Sequence, residues 1–122
     1  MGHFHVTCEV IRIHAPKKSA KVERLLVDTG SEFSWISEAI LKQIGVKVEK
    51  KDVPFLMANG QSVTRAVGYA ILRVDHFETI DEVVFGQPGD LLLLGARTLE
   101  GFGALVDPHK KRLVAAGPFP AA

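Results

Sequence analysis

Three apolar residues, Leu25-Leu26-Val27, run without a break into Asp28-Thr29-Gly30-Ser31. The first three read as the end of a buried strand, the next four as a tight polar turn. A carboxylate delivered to such a strand end loses hydration, which costs roughly several kcal/mol unless partners hold it. Caps, ion pairs and active sites are the positions that sustain this. The fold must therefore provide one strand whose C-terminal end is a special place.

Short β-branched and Leu-rich runs separated by turn residues fill the rest of the chain, which argues for an all-β architecture. The pattern predicts strands over 6–13, 22–27, 46–49, 54–58, 62–74, 81–85, 91–94, 104–106 and 112–115. Two segments read as short helices. In "SEAILKQIG", Ser37 can accept from free amides, Ile40, Leu41 and Ile44 form the apolar stripe, and Gly45 supplies a left-handed stop. "ARTLEGFG" permits one or two turns before Gly101 and Gly103. Residues 15–21 and 86–90 read as polar turns, and Asn59-Gly60 is the pair favoured in two-residue hairpins. "LLVDTG" and "LLLLGA" echo one another: each ends an apolar strand at a glycine turn before a short helix.

At 122 residues the chain reads as one domain, with a core over about 6–116 and a loosely ordered, Pro-rich tail at 117–122. A formal net charge of +1 gives no electrostatic reason to expect nucleic acid or an acidic membrane as partner. No apolar run of about 18 residues and no secretory segment is present, so a cytoplasmic location is expected. With a single cysteine, Cys8, there is no intrachain disulfide, and a small buried apolar role fits it better than a nucleophile. His3 and His5 share a face of an extended segment but have no third ligand nearby, so no metal site is expected.

The chemistry available to Asp28 depends on company. One carboxylate with an ordinary pKa of about 4 is a weak catalyst near neutral pH. Two of them about 3 Å apart cannot both ionise and must share a proton. One then acts as base on a water while the other donates to a substrate carbonyl. Thr29 offers a hydroxyl, Gly30 admits close backbone approach, and Ser31 can hydrogen-bond to the carboxylate.

Asp28-Thr29-Gly30-Ser31, followed by Trp35 seven residues after the acid, resembles the pepsin-like aspartic proteases. The order of elements over residues 22–115 resembles the retroviral type: one such motif, then a flap hairpin at "MANGQ" (57–61), then "LLLLGAR" (91–97). That resemblance implies a closed β-barrel-like fold with one or two short helices and one lobe per chain. It implies a homodimer in which Asp28 of each copy completes a catalytic dyad, since no other aspartate lies in such a turn. Thr29, Gly30 and Ser31 would support the dyad, with Thr29 reaching the other subunit's backbone. Met57, Ala58, Asn59 and Gly60 would form the flap over an extended peptide, and Leu91 and Leu93 would line pockets. No cofactor is implied. Two departures stand out: Ala96 sits where the retroviral type often has Arg, leaving an Arg97–Glu32 pair as the substitute, and the flap lacks both a glycine-rich tip and a tyrosine. A non-catalytic dimerisation or peptide-binding module on the same fold is the competing function, and a monomeric barrel for a small apolar ligand is a more distant one.

Overall fold

The structure, a computed structural model, describes residues 4–121, so His3 lies outside the described residues. Strands β1 (Phe4–Arg12) and β2 (Ala15–Val27) form an antiparallel hairpin whose turn is Ile13-His14, with His14 at φ 62. The polar stretch 15–21 is therefore strand, not turn. Ala15 and Ser19 through Lys21 find partners on β1, and the stretch's lysines are the solvent face of the ribbon. The register jumps from Ile11↔Ser19 to Arg12↔Ala15, so Pro16, Lys17 and Lys18 bulge outward where no ladder donor is needed.

Strand β3 (Ser34–Ser37), which the alternation did not reveal, is short and buried, flanked on both sides by other strands. Helix α1 (Glu38–Gln43) follows and ends at Gly45, φ 82. Ser37 occupies the N-cap position but makes no side-chain cap bond. The two strands expected at 46–49 and 54–58 are replaced by one, β4 (Lys50–Leu56), which carries a bulge between Lys50 and Val53. β5 (Ser62–Val74) keeps its expected bounds, and β6 begins early (Phe77–Gly86) because its pairing with β5 starts at Val74↔Phe77 and runs to Val67↔Val84. β7 shortens to Leu93–Leu94, followed by α2 (Ala96–Phe102), β8 (Ala104–Asp107) and β9 (Arg112–Ala115). Gly101 lies inside α2, and Gly103, φ 67, ends it.

The sheet runs β1-β2-β7-β3-β6-β5-β4, and β5 also pairs with β1 through Val10↔Leu72 and its neighbours. The strands from β1 through β5 thus close into a ring, while β4 hangs from the first half of β5 as a hairpin arm. Leu25, Ile36, Leu41, Leu72, Phe85 and Leu94 fill the ring and are essentially inaccessible. Cys8 lies in the same core, where desolvation pushes its thiol up to about 12 and away from thiolate chemistry. A second cluster, Trp35, Val67, Val84 and Leu93, sits between the ring and the hairpin arm. The C-terminal segment crosses α2's end, with Ala116 N–H donating to Gly103 O at 2.8 Å and the Phe119 ring beside Gly103.

Candidate active site

The echo between the two apolar segments is spatial. β2 and β7 lie side by side and parallel, Leu26 opposite Leu93 and Val27 opposite Leu94. Asp28 N–H continues this ladder by donating to Leu94 O at 3.0 Å. The chain then turns: Ser31 N–H returns to Asp28 O at 3.3 Å, and Gly30 N–H donates to Asp28 Oδ1 at 2.9 Å. The segment after β7 clasps the turn from behind, through Ala96 N–H to Ser31 O at 2.7 Å and Arg97 N–H to Glu32 O at 3.0 Å. Gly95 makes this clasp possible, since a Cβ there would stand 2.4 Å from Phe33 O and 2.7 Å from Glu32 O.

A buried chain of hydroxyls locks the same point. Gly95 N–H donates to Ser34 Oγ (2.9 Å), Ser34 Oγ to Thr98 Oγ1 (2.6 Å), and Thr98 Oγ1 to Asp81 Oδ2 (2.8 Å). Ser34 and Thr98 are the two fully buried polar side chains of the described core, and no buried side-chain polar atom there lacks a partner. Asp81 thus anchors a structural relay.

Asp28 is half-buried and opens into a cleft of about 660 Å³ between the β2 end and the hairpin arm. Of the residues expected in the site, Asp28, Gly30, Ser31, Met57, Ala58, Leu91 and Leu93 all line this cleft. Thr29, Asn59 and Gly60 do not. Thr29 is exposed and its hydroxyl has no hydrogen-bond partner among the described residues, while Asn59 and Gly60 form the outer tip of the arm. The tip is not a two-residue Asn-Gly turn. Gly60 N–H closes a four-residue turn onto Met57 O at 2.9 Å, Gly60 takes φ 86, and Asn59 Oδ1 accepts Gln61 N–H. The glycine is thus used after the turn, at a bulge position, rather than within it.

Two expected bonds are corrected. Ser31 Oγ donates to Phe33 O at 3.2 Å, not to the Asp28 carboxylate, because the loop curls its own carbonyl closer. Arg97 does not pair with the Glu32 side chain. Its guanidinium lies 4.6 Å from the Phe33 ring centroid and donates to Glu82 Oε1 at 3.0 Å. Glu82 also accepts from Lys50 at 2.8 Å, and these hydrogen bonds, Lys50 first, hold its carboxyl below the usual range.

The apolar walls went largely unread. Val53, Phe55 and Met57 share one face of the arm and pack toward Trp35, and Phe55 meets Phe33 and Trp35 edge-on at 5.3 and 5.2 Å. Trp35 is both core anchor and cleft wall, only 6% exposed. The signal was the alternation Val53-x-Phe55-x-Met57, which begins one residue before the strand expected at 54. Leu93 is a buried floor residue at 5% exposure, whereas Leu91, at 59%, is an open lip.

A strand-borne Asp-Thr-Gly under a hairpin arm on a closed ring of strands defines the aspartyl protease class. Residues 18–98, more than half of the chain, match the family model described as "Aspartyl protease", and the chain belongs to that family. Its fold is similar to the crystal structure of the retroviral protease-like domain of Ddi1 from Leishmania major, with a TM-score of 0.59 and 16% identity over 94% of this chain and 89% of that one. No curated protein matches it in sequence. No helix among the described residues is long and apolar enough to cross a membrane.

Proposed function

We propose that this chain is a homodimeric aspartic endopeptidase in which two copies of Asp28 face one another and share a proton. One carboxylate removes a proton from water, and the water oxygen bonds to the scissile carbonyl carbon. The protonated partner donates to the carbonyl oxygen. Collapse of that tetrahedral species breaks the C–N bond as a proton moves to the leaving amine. The observation that carries this reading is Asp28 itself: half-buried on a cleft wall, with Gly30 N–H as its side-chain donor and no ion pair among the described residues. A salt-bridged aspartate would have its charge answered locally, and Asp28 enters no ion pair among the described residues. The exposed Thr29 supports a second copy as the missing half, and we assign to it the reach across the interface. The arm carrying Phe55 and Met57 supports an extended peptide bound strand-like, with apolar side chains against the aromatic wall.

Wild-type protein incubated with an unstructured protein at mildly acidic pH should cut it, and Asp28→Asn should reduce the rate at least about a thousandfold. Equal inertness of both as folded dimers across pH rejects the peptidase and leaves a dimerising or peptide-binding module. Sedimentation showing only monomer at high concentration rejects both.

A further inference from the structure

The cleft is electrically one-sided. Its lining holds two ionisable side chains, Asp28 and Glu32, both acids, among residues that are otherwise mostly apolar. Glu32 is exposed and enters no ion pair among the described residues. Arg97 is bonded to Glu32 through its main chain, yet its guanidinium is committed to Glu82 and to the Phe33 ring. The adjacent cation is thus committed elsewhere, and Glu32 stands in the cleft lining without a cationic partner among the described residues. A cation brought by a ligand finds two carboxylates and no competing cation in this lining. Phe33, next along the wall, offers apolar surface for the methylene stem that carries such a cation.

From this juxtaposition we propose that Glu32 is a specificity-determining residue that selects a Lys or Arg side chain close to the scissile bond of an extended peptide. The proposal rests on the peptidase reading for the word scissile, but the charge preference is a property of binding and is measured without hydrolysis.

Decapeptides built around a central Leu-Leu bond, carrying one Lys or one Gln at each of three positions on either side, are titrated against the full chain bearing Asp28→Asn. Binding is read by fluorescence anisotropy. At least one Lys peptide should bind about tenfold more tightly than its Gln twin. That ratio should shrink with added salt and approach about one when Glu32→Gln is introduced as well. Wild-type protein should show the same preference in kcat/KM. Equal binding within every pair, no binding at all, or a ratio unmoved by Glu32→Gln overturns the assignment. So does a Glu32→Gln dimer that dissociates about tenfold more readily in sedimentation while the ratio holds, because the carboxylate then serves the interface. Failure of wild-type protein to hydrolyse any peptide, with a Glu32-dependent ratio intact, sinks the peptidase reading alone and supports the charge selection.

Discussion

At the scale of single residues, the geometry around Asp28 depends on what stands behind it. Gly95 has an extended backbone that any residue can adopt, φ −96, so its requirement for glycine is one of space alone. A methyl group there meets two carbonyl oxygens of the loop that carries the acid. Gly95→Ala should therefore destabilise the fold by about 1–3 kcal/mol, read from urea unfolding, and lower activity beyond what the lost folded fraction explains. Thr98→Val keeps the shape but leaves Ser34 Oγ and Asp81 Oδ2 short of partners in a closed interior. The expected cost is about 1–3 kcal/mol, with Thr98→Ser recovering most of it. An unchanged unfolding midpoint for Thr98→Val would show the relay to be dispensable. The acid and its glycine were legible in the sequence, since Asp-Thr-Gly after an apolar run allows few meanings. The Ser31 bond was not, because a hydroxyl chooses its acceptor by loop curvature, and nothing in four letters states which carbonyl comes nearest. Arg97 eluded the sequence likewise: its partner Glu82 lies on β6, brought beside it only by the ring.

At the scale of elements, the cleft is a relation between the β4–β5 arm and the loop that precedes β7. One ion pair among the described residues joins them. Arg65 on β5 grips Asp90 with two bonds, Nε to Oδ2 at 2.7 Å and Nη2 to Oδ1 at 2.8 Å, and Asp90 Oδ2 also accepts Gln87 N–H. Both side chains are mostly covered, and Leu91, the open lip of the cleft, is the next residue. Arg65 foremost holds the Asp90 carboxyl below its ordinary range. The sign follows from linkage: the unfolded chain takes up the proton more readily, so the pair's contribution is full above the ordinary aspartate range and fades as pH falls through the depressed folded value. Asp90→Asn should therefore lower the urea midpoint at neutral pH, and the gap from wild type should close in strong acid. A gap independent of pH would mean that the charge contributes nothing. β5, which alternates from Gly68 to Val74 and is bounded by turn residues at both ends, was readable to the residue. Elements with mixed duty were not: the first half of β2 is polar because it is a solvent-facing ribbon, and β3 is buried from Ser34 to Ile36, with strands along both its edges.

At the scale of the whole molecule, one chain holds one Asp28 and one arm, and the proposed chemistry needs two acids across a twofold axis. That arrangement makes a quantitative claim about mixtures. Suppose wild-type and Asp28→Asn chains exchange partners freely at concentrations well above the dimer dissociation constant, and the substitution leaves pairing unchanged. A wild-type subunit then meets a wild-type mate in proportion to the wild-type fraction of the pool. If only doubly acidic dimers turn over, adding an equal amount of Asp28→Asn should cut the activity of a fixed amount of wild-type protein to about one half, and a ninefold excess to about one tenth. A site complete within one subunit gives a flat line in the same titration, whatever the oligomeric state. Diluting wild-type protein alone through the dissociation constant should lower its specific activity, because the monomer lacks the second carboxyl. A flat mixing curve together with concentration-independent activity would place the whole engine inside one chain, and Asp28 would then need a different acid as its mate.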